Sequence, residues 1–195
     1  MPIESHPLQP FLPSNAKVLL LGSFPPPNYR WSMPFFYPNY QNDMWRIMGI
    51  LFFDDKDYFS LVEQRRFDYR KVVDFCTERG IALFDTASVV RRLNSDASDK
   101  FLEIVQPTDV DGLLNKLPQC VAVAATGQKA AEVLAEKWQC APPAVGTSVQ
   151  VVIDGRKIDF FRMPSSSRAY PLALAKKAAV YRVLFELAGM LPSIK

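Results

Sequence analysis

The chain has 195 residues, which at ~150 residues per domain points to one domain. Hydrophobic residues make up 49% and charged residues 22%, which excludes a disordered chain. The formal net charge of +3 permits a nucleic-acid partner without demanding one.

The only histidine, His6, lies in a proline-flanked N-terminal stretch. That argues against a Ser-His-Asp triad, a Cys-His dyad or a multi-histidine metal centre. Cys76, Cys120 and Cys140 have no CxxC spacing and are odd in number, so a disulfide framework is not expected and a reducing cytoplasm is. The polar start MPIESHPLQP does not read as a signal peptide, and no apolar run approaches the ~18 residues of a membrane span.

Residues 1–16 read as an N-terminal arm, and 17–190 as a single domain. Lys17–Gly22 (KVLLLG) is a continuous apolar run ending in glycine, the pattern of a strand buried on both faces. The next twenty residues, 23–42, hold five prolines and read as a loop. A loop of that length inside one domain is usually functional. Helices are expected over Asp43–Phe53 and over Phe67–Arg79, the latter stopped by Gly80. Ile81–Phe84 is a short strand, followed by Asp85 and a loop carrying Arg91 and Arg92. Thr108–Leu117 reads as a helix capped by Thr108, with Asp111 at the capping-box position. Val121–Ala125 is a strand and Gly127–Trp138 its crossover helix. Asp154-Gly155 between Val149–Ile153 and Lys157–Arg162 signals a hairpin. A loop over residues 163–170 precedes a final helix, Pro171–Leu187.

Strands alternating with helices indicate an α/β fold: a three-layer sandwich about a central, mainly parallel four-stranded sheet. Ligands bind such sheets beyond the carboxyl ends of the strands. The loops leaving those ends are 22–42, 85–95 and 163–170, with Thr126 after another strand.

GxGxxG, GxxxxGK[ST], GxSxG and HExxH are all absent. The loop after Gly22 carries Phe24, Tyr29, Trp31, Phe35, Phe36 and Tyr37, which either stack on a planar ligand or fold the loop onto the core. Asn42 is either a helix N-cap or an amide that holds a water at a pocket edge. Asp43 is either a base or an acid favoured by the first helical turn, the second being the simpler reading. Ser165, Ser166, Ser167 and Arg168 suit phosphate contacts, or simply a polar loop before a helix.

Taken together, LLLGSFPPP, FFYPNYQNDMWRIMG, GIALFD, VAATGQKA and MPSSSRAY resemble, in content and order, the motifs of the uracil-DNA glycosylase superfamily. The mismatch-specific and hypoxanthine-type branches, which lack the histidine of the commonest branch's second motif, are the nearest in kind. The resemblance runs from about Lys17 to Leu187. It implies a DNA glycosylase of base-excision repair, acting on a deaminated or mismatched base of the uracil or hypoxanthine type. The implied partner is duplex DNA with a flipped base, the protein a monomer, with no metal or other cofactor. Asn42 would orient the water, with Asp43 as a second activator. Gly22, Ser23, Phe24, Phe35, Phe36 and Thr126 would hold the base, and Ser165 to Arg168 would grip the DNA. This chain departs from the pattern in three ways. Pro38 stands four residues before Asn42 instead of two, with Tyr37 in place of histidine. Thr126 replaces the base-reading asparagine. Arg168 replaces a proline. Two other readings stay open at this point: a catalytically weak or inactive nucleic-acid or nucleobase-binding domain on the same fold, and an unrelated α/β enzyme.

Overall fold

The computed structural model describes residues 3–93 and 102–192. Strand β1 spans Ile3–Ser5, and β2 Val18–Gly22. Helix α1 is Met44–Phe53. Two short strands follow, β3 at Ser60–Leu61 and β4 at Arg66–Phe67, then α2 (Tyr69–Arg79), β5 (Ile81–Asp85), β6 (Ala87–Arg92) and β7 (Leu102–Pro107). The rest comprises α3 (Val110–Asn115), β8 (Ala122–Ala125), α4 (Gln128–Lys137), β9 (Thr147–Ile153), β10 (Arg156–Arg162) and α5 (Leu174–Leu187).

The main sheet has five strands in the order β5-β2-β8-β10-β9. β5, β2, β8 and β10 are mutually parallel, and β9 joins antiparallel through the Asp154-Gly155 turn. The expected four-stranded sheet is therefore corrected to five, because both arms of the hairpin belong to it. Asp154 and Gly155 both have positive φ, 49° and 79°, as a two-residue hairpin turn requires. β2, β5 and β8 are buried along their whole length, which explains their unbroken apolar sequences.

The chain leaves β2 for β5 on one side and reaches β8 on the other, so strand order reverses at β2. That reversal opens a crevice at the carboxyl ends of the strands. The register aligns Gly22 with Asp85, and Leu21 with both Phe84 and Ala125, so the ends of β2, β5 and β8 lie level there.

A second sheet, β1-β6-β7, has no counterpart among the expected elements. Residues 87–92, expected within a loop, form its middle strand. Their charged members are accommodated by tertiary partners: Arg92 Nε donates to both carboxylate oxygens of Glu4, at 3.0 and 3.1 Å, and Arg92 Nη2 donates to the carbonyl of Pro25 at 2.7 Å. The N-terminal residues continue along the main sheet's edge, where Phe11 and Leu83 exchange backbone hydrogen bonds.

Helix boundaries follow local chemistry. α2 starts at Tyr69, not Phe67, because Asp68 caps it by accepting from Lys71 N–H at 3.2 Å. It stops at Gly80, where φ is 72° and a Cβ would stand 2.4 Å from the Asn15 carbonyl. α3 is capped by Asp109, not Thr108: Asp109 accepts from Gly112 N–H at 3.1 Å, while Thr108 Oγ1 donates to the carbonyl of Asp85. α5 starts at Leu174, three residues after Pro171. Among the described residues, no helix is long and apolar enough to cross a membrane.

Candidate active site

A pocket of about 180 Å³ opens at the carboxyl ends of β2, β5 and β8. Its walls include Gly22–Pro26, Phe36–Asn39, Asn42, Asp85, Thr126, Gly127 and Ser165–Ser167. That volume lies below the ~300–1,000 Å³ of drug-sized pockets and suits a single flat ring system. Of the residues expected to hold a base, the pocket gathers Gly22, Ser23, Phe24, Phe36 and Thr126, and it adds Asn42 and the three serines.

Three expected residues do not line it. Phe35 turns inward, with ring centroids 5.1 Å from Phe11 and 5.2 Å from Phe36. Asp43 is buried with both carboxylate oxygens occupied: Lys177 Nζ donates to Oδ2 at 3.0 Å and Arg168 Nε to Oδ1 at 3.2 Å. Each oxygen of Asp43 thus holds a cation, and the residue lies behind the pocket lining. Arg168 lies outside the pocket with its side chain half exposed, and its terminal nitrogens have no acceptor among the described residues.

Asp43 instead organises the serine loop. Lys177, fully buried, donates to the carbonyl of Ser167 at 2.7 Å as well as to Asp43. Asp43 N–H donates to the carbonyl of Ser166 at 2.8 Å, and Tyr181 hydroxyl donates to the carbonyl of Pro164 at 2.9 Å. Asn42 and Ser167 form an isolated bridge. The loop is thus fixed before any ligand arrives.

Asn42 makes a helix-start contact and also borders the pocket. Its Oδ1 accepts from Met44 N–H at 2.9 Å, so it caps the start of α1. It also lines the pocket, and its Nδ2 has no acceptor among the described residues.

Thr126 is less free than its place in the motif suggests. Its Oγ1 lies 2.8 Å from the Tyr37 hydroxyl and donates to the carbonyl of Leu21 at 3.3 Å. With its proton so used, Thr126 acts as an acceptor that anchors Tyr37 against the strand end. Tyr37 has φ 49°, an uncommon value for a bulky residue, and this contact helps hold it there.

The sequence reading missed the N-terminal contribution. His6 Nε2 lies 2.8 Å from Asp85 Oδ2, and its side chain is 4% exposed. Nδ1 lies 3.1 Å from the N–H of Leu8 and 2.9 Å from its carbonyl. The ring packs on Phe84, Phe24 and Phe36 at centroid distances of 4.5, 5.2 and 6.1 Å. Phe24 and Phe36 also line the pocket, so the imidazole backs its aromatic wall. Gly22 explains itself here: a Cβ would stand 2.5 Å from Asp85 Oδ1. Asp85 had one sequence signal, a carboxylate ending an apolar strand at the ligand-binding edge. His6 had none. No group of three or more His, Cys, Asp or Glu residues placed to hold a metal occurs among the described residues.

No protein-family model and no curated protein matches the chain. Among solved structures it is similar to the solution NMR structure of "a putative Uracil DNA glycosylase from Methanosarcina acetivorans". The TM-score is 0.62 at 21% identity, covering 93% of this chain and 98% of that one. At that identity the likeness is one of fold.

Proposed function

We propose that the chain is a DNA glycosylase that hydrolyses the N-glycosidic bond of a deaminated or mismatched base, of the uracil or hypoxanthine type, in base-excision repair. The observation that carries this reading is the pocket: a small aromatic-walled cavity at the strand-order reversal, with Asn42 on its edge and the serine loop beside it. The fold shared with the Methanosarcina acetivorans protein and the five ordered motifs support it. The mismatch-specific or hypoxanthine-type branch fits a serine loop without histidine.

The chemistry asks little of the protein beyond placement. The nucleotide is extruded at a cost of a few kcal/mol, least where the base is damaged or mispaired. Phe24 and Phe36 pack against the base. The C1′–N bond breaks, water oxygen bonds to C1′, and the base leaves carrying the electron pair until it gains a proton. Asn42 Nδ2 donates towards the water or the leaving base, and preorganised donors stabilise the developing negative charge. Ser165–Ser167 and Arg168 contact phosphates. Duplex DNA is the partner, bound by a monomer in which residues 1–16 form an arm on a single domain, 17–190.

The cap bond of Asn42 favours a second reading, a nucleobase-binding domain of weak or no activity, since an amide occupied at Oδ1 is partly committed to structure. Incubation with duplexes carrying uracil, hypoxanthine or xanthine, followed by alkaline cleavage, separates the two. Strand scission at the modified position supports the glycosylase. Binding without scission supports the second reading.

A further inference from the structure

Outside the pocket the chain has a second concavity, a groove of about 650 Å³ against the pocket's 180 Å³. Two segments wall it: residues 29–32 and 39–41 of the proline-rich loop, and residues 64–66 of the β3–β4 hairpin. Arg30 and Asn39 line both groove and pocket, so the two are continuous, whereas the serine loop lines only the pocket.

Three exposed arginines border the groove: Arg30, Arg65 and Arg66. Their guanidinium groups donate to no carboxylate or carbonyl among the described residues. No aspartate or glutamate lines the groove; Glu63, on the same hairpin, is exposed and stands outside it. Like charges gathered round one concavity without a counter-charge form a site for an extended anion. Aromatic rings stand among them. Tyr29 is 75% exposed, with the Arg30 guanidinium 5.7 Å from its ring centroid. Trp31 is half-buried, and its Nε1 donates to the Pro26 carbonyl at 2.7 Å, which fixes the indole.

We infer that this groove binds an unpaired nucleic-acid strand, with Arg30, Arg65 and Arg66 on its phosphates and Tyr29 stacked on a base. Cations that track a backbone, beside an exposed ring, are what a strand with free base faces requires. In a duplex those faces are already covered by neighbouring base pairs, and Tyr29 has nothing to stack on. The site goes beyond the glycosylase reading, since it needs no modified base and lies outside the pocket where the bond is broken.

The groove is built before any strand arrives. Ser32 N–H and Oγ both donate to the Pro38 carbonyl at 2.8 Å, closing the proline-rich loop on itself. Phe67 N–H donates to Ser32 Oγ at 3.4 Å, and the Tyr40 ring packs on Phe67 at 5.1 Å, so the loop is joined to β4. Buried Arg46 supports both rings, 4.5 Å from Tyr40 and 5.3 Å from Phe67. Arg65 ends the hairpin turn at φ 49°, its N–H donating to the Val62 carbonyl at 3.0 Å.

The test is fluorescence anisotropy of the full chain with a labelled, unmodified ten-nucleotide oligothymidylate, and with a blunt duplex of the same length, across a salt series. The native protein binds the single strand, and its affinity falls with salt. The double variant Arg65→Asn, Arg66→Gln lowers the slope of log affinity against log salt by about 1.4, or ~0.7 per arginine. Asparagine is used at 65 because it tolerates positive φ. Arg66→Gln alone, expected to lower the slope by about 0.7, serves if the double variant fails to fold. Tyr29→Ala weakens single-strand binding by about 10- to 100-fold at unchanged slope, the worth of stacking on one base. It leaves duplex binding as it was, and Tyr29→Phe restores the native affinity. No binding of the single strand, a native slope in the arginine variants, or an equal loss on single strand and duplex in Tyr29→Ala overturns the inference. Failure of the glycosylase reading is separate: it appears as no excision from modified duplexes while these strand-binding differences hold.

Discussion

Lys177 Nζ lies 3.0 Å from Asp43 Oδ2, and both side chains are buried. The pair joins α5 to the start of α1 and, through the Ser167 carbonyl, to the serine loop. Removing one partner of such a pair strands the other charge. Lys177→Met is therefore expected to lower the unfolding free energy by about 3–5 kcal/mol in chemical denaturation. Arg168→Ala, which removes the half-exposed partner of the same carboxylate, should cost less than about 1 kcal/mol. Equal losses from the two variants would show that burial does not set the strength of this network.

Arg168 has a second measurement. Its Nε is held by Asp43, which aims the rest of the guanidinium away from the fold. In the proposed complex that group meets a phosphate. Arg168→Ala should weaken binding to any duplex alike and reduce the slope of log affinity against log salt by about one. An unchanged slope removes this loop from the interface.

Asn42 serves structure and the proposed reaction through different atoms. Asn42→Ala loses the bond to Met44 N–H and about 1 kcal/mol of stability. Asn42→Asp retains an acceptor for the cap but loses Nδ2, so its melting temperature stays near native while single-turnover excision falls by ~10²-fold or more. Native excision rates in Asn42→Asp would reduce Asn42 to a cap.

Thr126 is expected to act through Tyr37. Thr126→Val preserves shape but leaves the Tyr37 hydroxyl without this partner. The variant should lose about 1 kcal/mol of stability and bind the proposed substrate less tightly. If Thr126→Asn instead confers strong uracil excision, Thr126 reads the base directly.

The cysteines differ in reactivity for a physical reason. Burial pushes the Cys120 thiol up to about 11 and the Cys76 thiol further, so neither yields appreciable nucleophilic thiolate at pH 8. Cys140 is only half-buried. Alkylation of the native protein at pH 8 should label Cys140 alone, with Cys76 and Cys120 reacting only after denaturation. For those two, labelling should rise with pH, as more thiolate forms.

β2, β5 and β8 were legible because each is buried throughout and runs into a chemically distinct residue: Gly22, Asp85 or Thr126. The α2 terminus was legible because Gly80 supplies a backbone conformation that few residues adopt. β1, β6 and β7 were not, since Arg91 and Arg92 read as loop residues, and Glu4, the Pro25 carbonyl and the Phe24 ring make a buried Arg92 tolerable. The pocket loop was legible from its length and aromatics, but not which aromatics face inward: Phe35 and Phe36 are adjacent, and only Phe36 reaches the pocket. His6 was illegible because its role comes from pairing across 79 residues with Asp85. Local pattern carries no trace of that pairing.

The most direct test of the proposed activity is chromatographic detection of free base released from duplexes containing hypoxanthine or uracil, under single-turnover conditions. The native protein should release the base and leave an abasic strand. Gly22→Val, whose side chain would meet Asp85 Oδ1 at the pocket wall, should release none while still binding duplex. Absence of free base with the native protein across both duplexes, or equal release by native protein and Gly22→Val, would contradict the assignment of this pocket as the site of N-glycosidic hydrolysis.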